Sequence, residues 1–262
     1  MITLIDSHAH LDLPEFDEDR QEAIARAAAA GINRIITVGI DIATSHRAIS
    51  LAQQHQGIYA TVGIHPGLVS ETSPEDFEIL TKLAKYPEVV AIGETGLDFY
   101  RMHSPKEAQI SWLIRQLGLA YQTGLPVILH SRQAEPDLGD IVSEWARSHS
   151  LQGKLRGVVH CFGGDVATAT RYLELGFCIS FGAYIGYPSA KTMAEAIKSI
   201  PEDRLLIETD CPFLPPQSHR GQRNEPAYMV QTAQTMADFR GVPVEEIAHR
   251  TRENTEKLLG LR

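Results

Sequence analysis

The chain has 262 residues, 43% of them hydrophobic, with 33 acidic against 24 basic side chains and a formal net charge of −9. This composition is ample for a full core. It excludes a bilayer-spanning run, a disulfide framework (there are three cysteines) and the broad basic face of a protein that grips long duplex nucleic acid.

The amino terminus enters an apolar run directly, with no basic start and no small-residue cleavage site, so a cytoplasmic setting without membrane contact is expected. In chain order, short β-rich runs then alternate with helical patterns. Strands are predicted at Thr3–Asp6, Arg34–Gly39, Tyr59–Ile64, Val89–Gly93, Pro126–Leu129, Gly157–Val159, Phe177–Phe181 and Leu205–Glu208. Continuous apolar runs such as Val89-Val90-Ala91-Ile92 suit parallel strands buried on both faces. Gly31 and Gly124 close two of the intervening helices. Ser104-Pro105-Lys106-Glu107 reads as an N-cap, a proline at the first helical position and a capping-box glutamate. Eight strand–helix repeats with right-handed crossovers predict an α/β fold, a (β/α)8 TIM barrel forming a single domain over residues 1–262. A doubly wound open sheet is the alternative.

In such barrels the chemistry sits at the C-terminal ends of the strands. Here those ends carry His8-Ala9-His10, Glu94, His130, His160 and Asp210. Alternate residues of a strand face one way, so His8 and His10 point together, with Asp6 beneath them. Neutral imidazole is a natural ligand for a divalent cation, and six ligands are too many for one tetrahedral ion that keeps a position open for water. Two ions bridged by Glu94 fit better. His8, His10, Glu94 and Asp210 would hold one, and Glu94, His130 and His160 the other. A bridging hydroxide is then the expected nucleophile, with Asp210 orienting it or taking its proton.

The segments Asp6-Ser7-His8-Ala9-His10-Leu11-Asp12, Gly63-Ile64-His65-Pro66, Gly93-Glu94-Thr95-Gly96-Leu97-Asp98-Phe99, Leu129-His130-Ser131-Arg132, His160-Cys161-Phe162-Gly163-Gly164, Glu208-Thr209-Asp210-Cys211-Pro212 and Arg220-Gly221-Gln222-Arg223-Asn224-Glu225-Pro226 together resemble the TatD family of metal-dependent deoxyribonucleases. The resemblance covers nearly the whole chain. It implies a (β/α)8 barrel of the amidohydrolase superfamily and metal-dependent hydrolysis of phosphodiester bonds, typically at DNA ends. It also implies Mg²⁺-supported activity, whereas the imidazole-rich donor set by itself favours Zn²⁺, Mn²⁺, Co²⁺ or Ni²⁺.

Neighbouring residues complete the expectation. Asp6 and Glu208, one layer below the ligands, would accept the second ring N–H of imidazole ligands. His65 would polarise a phosphate oxygen or protonate a leaving group. Arg132, Arg220 and Arg223 would bind substrate phosphate. Cys161 and Cys211 would face the helices as small buried hydrophobes. The leading function is exonuclease-type cleavage of single-stranded DNA ends or another phosphodiester substrate. The alternatives are a hydrolase of carboxylic or aminoacyl esters and amides using the same two-metal site, and a metal-binding scaffold without catalysis.

Overall fold

A computed structural model describes residues 2–149 and 155–261. Its strands are β1 (Leu4–Ala9), β2 (Ile32–Val38), β3 (Ile58–Val62), β4 (Val89–Asp98), β5 (Val127–Arg132), β6 (Gly157–Val159), β7 (Phe177–Phe181) and β8 (Leu205–Ile207). They pair in parallel in the order β1 to β8. Between them run α1 (Arg20–Ala29), α2 (Ile42–Gln54), α3 (Asp76–Leu83), α4 (Lys106–Thr123), α5 (Glu135–Ser148), α6 (Val166–Glu174) and α7 (Ala194–Ser199). After β8 come α8 (Met229–Arg240) and α9 (Val244–Leu259). The predicted (β/α)8 barrel is therefore the observed one.

The alternation of a strand explains how the core and the site share the barrel. Ile128, Val158 and Leu206 belong to one apolar cluster with Ile36, Val38, Val90 and Cys178, and this cluster also takes in Leu258 and Leu259 of α9. Two residues further on, facing the same way, stand His130, His160 and Glu208. Apolar side chains thus fill the lower layers, and the polar side chains occupy the top one. A larger apolar cluster packs the helices on the outside of the sheet.

The seam between the first and last strands closes at His8, His10 and Asp210. The His10 N–H donates to the Cys211 carbonyl at 2.8 Å, and the Asp210 N–H to the His8 carbonyl at 2.9 Å. Lower down, Ser7 Oγ donates to the Ile207 carbonyl at 2.9 Å.

Two expectations change. β4 runs to Asp98 rather than stopping at Gly93, because β5 also runs on to Arg132 and gives it a partner, with Gly96 opposite His130 and Asp98 opposite Arg132. Gly96 is required there: its φ is +148°, and a Cβ would collide with the His130 backbone. Ser104 does not cap α4, which has no side-chain cap. Its hydroxyl instead accepts from the Ser70 N–H at 3.1 Å and donates to the Gly67 carbonyl at 3.1 Å, tying down the loop after β3. Gly31, just past α1, and Gly124, at the end of α4, take the left-handed conformations expected of them, with φ of 93° and 70°.

Candidate metal centre

All six predicted ligands meet at the barrel mouth, and Glu94 lies between two groups of them. Its Oε1 is 2.7 Å from His130 Nδ1 and 2.9 Å from His160 Nε2. Its Oε2 is 3.4 Å from His8 Nε2 and 3.7 Å from His10 Nε2. Asp210 Oδ1 completes the second group, 3.7 Å from His8 Nε2 and 3.4 Å from His10 Nε2. Asp210 holds a left-handed backbone conformation, φ 56°, fixed by the seam bond of its own N–H and by the Phe213 N–H on its carbonyl at 2.9 Å. Such a conformation in a non-glycine residue persists only where its surroundings over-determine it.

The donor set fits divalent cations. His10 Nδ1 lies 2.8 Å from the Val38 carbonyl, which accepts only, so Nδ1 carries a proton in either charge state, and Nε2 offers a lone pair to the site once its own proton is displaced. That lone pair faces two carboxylates and, at 3.2 Å, the Nε2 of His8. His130 stands between two carboxylates, with Nε2 3.4 Å from Asp98 Oδ2 and Nδ1 2.7 Å from Glu94 Oε1, and its Nδ1 also lies 3.4 Å from His160 Nε2. Acceptors at this spacing repel one another unless a proton or a cation lies among them. Burial alone would lower the His10 pKa, but Asp210 and Glu94 outweigh it and raise it to about 9. In the same way burial would lower His160, and Glu94 and Glu208 raise it well above its ordinary value. Burial would raise Glu94, and the imidazoles of His160 and His130 hold it well below the carboxylate range. Positive charge is what this pocket lacks.

His65 joins the cluster with the opposite polarity. Its Nδ1 accepts the Gly67 N–H at 3.0 Å, so in the neutral ring Nε2 carries the proton. Nε2 stands 3.7 Å from Glu94 Oε1, and burial lowers the pKa of the ring to about 3. His65 is therefore a neutral N–H donor facing the site, suited to polarising an oxygen.

The structure adds residues to which the sequence reading gave no role. Asp98 grips His130 from behind and accepts the N–H groups of Tyr100 and Arg101 at 3.0 and 2.8 Å. Its signal was the alternation Glu94, Gly96, Asp98, hidden when the strand was ended at Gly93. Two buried glutamines of α4, seven residues apart and so on one helix face, hold the strand ends. Gln109 pairs with the Asp98 backbone, accepting at 2.8 Å and donating at 3.1 Å. Gln116 pairs with the Ile64 backbone at 2.8 and 3.0 Å and donates to Thr95 Oγ1 at 2.7 Å, fixing the neighbours of His65 and Glu94 together.

Several expectations are corrected. Asp6 accepts no ring N–H. It takes the Thr209 N–H at 2.9 Å and the Thr209 hydroxyl at 2.5 Å, and so holds the backbone beside Asp210. Burial pushes its carboxyl up to about 7. Glu208 lies behind His160, 3.6 Å from Nδ1, and accepts the Cys161 N–H at 2.6 Å. Alternation tells which way a carboxylate faces but not which strand's imidazole it meets. Cys211 is buried as expected, while Cys161 is half-buried, with φ 47°, and its thiol is raised by burial and by the charges of Asp210, Glu208 and Glu94.

Arg223 is committed elsewhere. Its guanidinium donates to both Asp19 oxygens at 2.6 and 2.8 Å and to the Glu15 carbonyl at 2.7 Å. It staples the loop after β8 to the start of α1, beside the Arg26–Glu225 pair, and is removed from the candidate phosphate donors. Arg132 and Arg220 remain exposed, lying over the rings of Tyr100 at 4.3 Å and Tyr187 at 4.7 Å. No helix among the described residues is long and apolar enough to cross a membrane.

The family model described as TatD related DNase matches residues 5–260. The chain is 40% identical over 255 residues to a Bacillus subtilis protein named uncharacterized metal-dependent hydrolase YabD, covering 97% of this chain and 98% of that one. It is 37% identical over 270 residues to the 3'-5' ssDNA/RNA exonuclease TatD of Erwinia amylovora, covering 98% of this chain and 100% of that one. The crystal structure of the TatD homologue YjjV from Escherichia coli superposes with a TM-score of 0.92 at 34% identity, covering 99% and 98% of the two chains. The chain belongs to the TatD related DNase family and is a metal-dependent hydrolase.

Proposed function

We propose that this chain cleaves phosphodiester bonds at unpaired ends of DNA or another nucleic acid, in the exonuclease manner, with two divalent cations held on either side of Glu94. The observation that carries the reading is the division of Glu94: Oε1 toward His130 and His160, Oε2 toward His8 and His10. His8, His10 and Asp210 would hold one cation, and His130 and His160 the other, with Glu94 common to both. Mg²⁺, Mn²⁺ or Zn²⁺ bound there supplies Lewis acidity and brings the pKa of water toward neutrality. Asp210, held in place at the seam, orients the attacking water and accepts its proton. His65 donates Nε2–H to a non-bridging phosphate oxygen. Arg132 and Arg220, exposed and presented over tyrosine rings, bind neighbouring phosphates with their forked donors. The acidic chain favours a short single-stranded segment over a wrapped duplex. Three unpaired cysteines agree with a cytoplasmic setting.

The test is a gel time course on an end-labelled single-stranded DNA oligonucleotide, using metal-stripped protein with Mg²⁺, Mn²⁺ or Zn²⁺ restored. A ladder that shortens from one end, absent for Glu94→Ala, is the expected result. No cleavage with any of the metals, together with turnover of carboxylic or aminoacyl esters, would transfer the site to that substrate class.

A further inference from the structure

One side chain at the mouth is not itself a candidate ligand and yet touches one. Phe213 lies three residues beyond Asp210, and its ring packs edge-on against His10, with centroids 5.9 Å apart and planes at 69°. Phe213 is 47% exposed. An exposed aromatic is unremarkable when it tops a mobile loop, but this loop is clamped. Asn224, fully buried, donates through Nδ2 to the Phe213 carbonyl at 2.7 Å and to the Thr209 carbonyl at 2.8 Å. The Tyr187 hydroxyl donates to the Pro215 carbonyl at 2.6 Å, and Arg223 ties the loop to α1. The same amide that fixes Phe213 therefore also fixes the residue next to Asp210. An apolar ring thus stands on a clamped backbone, half in solvent, against His10 at the edge of the cluster.

Resting on the phosphodiester reading above, we infer that Phe213 is a specificity-determining platform on which the base of the terminal nucleotide stacks while the adjoining phosphate lies at His10 and Asp210. Every base has a π-face, so such a platform selects unpaired ends without reading sequence. A duplex end offers its terminal base already paired and stacked, and must open it first. Arg220, on the same loop, lies exposed over the Tyr187 ring at 4.7 Å.

The experiment compares kcat and KM on a single-stranded DNA pentamer and on the same pentamer with tetrahydrofuran residues in place of its bases. It is run with the metal-loaded wild type and with Phe213→Ala, Phe213→Leu and Phe213→Trp. The wild type is expected to favour the base-bearing pentamer by about 5- to 100-fold in KM, the size of one base–aromatic stack. Phe213→Ala and Phe213→Leu collapse that ratio to about one, while Phe213→Trp, which keeps a π-face, preserves it. Bound metal, measured by mass spectrometry, stays at the wild-type level in all three variants. An unchanged ratio in Phe213→Ala overturns the platform, as does an equal loss on both pentamers, which marks a merely structural contact with His10. Failure of the wild type to cleave either pentamer defeats the phosphodiester reading itself.

Discussion

The two halves of the site are built from the same residue types but held by different means. On the seam side, His10 is fixed by a backbone carbonyl, that of Val38, and Asp210 by the backbone bonds that close the barrel between β1 and the segment after β8. On the β4–β6 side, His130 leans on the Asp98 carboxylate and His160 faces that of Glu208. The bonds made directly to His10 and Asp210 are therefore backbone bonds, with Asp6 and Asn224 acting one residue away through Thr209. The other half is set by charges that can be removed one at a time. His65, on the latter side, also takes its tautomer from the backbone, but from an N–H rather than a carbonyl, and so becomes a donor where His10 becomes an acceptor.

The largest expected effect abolishes the distinction between the halves. Glu94→Gln leaves neither with its shared charge, so both cations are lost and turnover falls by about 1,000-fold or more, several kcal/mol of transition-state stabilisation. Metal analysis beside steady-state kinetics checks it, and full metal content in the variant would refute the shared role.

His65→Gln is next. The loss of a neutral donor to a developing oxyanion lowers kcat by about 100- to 1,000-fold. Bound metal is expected to stay at its wild-type level, because the proton on Nε2 keeps that atom from being a ligand. A fall in metal content would show that His65 coordinates.

Asp98→Asn separates the halves. It weakens the grip on His130 and should lower affinity for one cation by about 10- to 100-fold. The seam-side cation, with no partner in Asp98, is expected to bind as before. A chelator-competition titration should resolve the two phases, and equal weakening of both would contradict the division.

The smallest effect is with pH. In the metal-free protein His10 is protonated below about 9, because its pKa is raised above the ordinary 6.5. Metal uptake at neutral pH must displace that proton, so affinity falls as pH falls, by about tenfold per unit for each proton displaced. Titrations in buffers of different ionisation enthalpy measure the proton count. No proton release at pH 7 would contradict the assignment.

Much of this was legible in the chain because a barrel exposes its chemistry at strand ends. β6 and β7 match the predicted Gly157–Val159 and Phe177–Phe181, and every candidate ligand lies at or just beyond the end of a predicted run. What was hidden depended on relations across strands. Asp98 needed the knowledge that β5 extends far enough to pair with β4 beyond a glycine. Glu208 backs an imidazole, in line with the expectation, but stagger around the barrel decides that it faces His160 and takes the Cys161 N–H. Arg223 has the right residue type for phosphate, but Asp19, some two hundred residues earlier, claims it. Gln109 and Gln116 read as ordinary helix residues until the strand ends they hold are seen.

The most direct test of the central claim is anomalous diffraction from crystals of the protein loaded with Mn²⁺ or Zn²⁺. The account expects two peaks per chain, one beside Glu94 Oε2 among His8, His10 and Asp210, the other beside Oε1 with His130 and His160. A single peak, or two peaks of which one has no contact with Glu94, would contradict it.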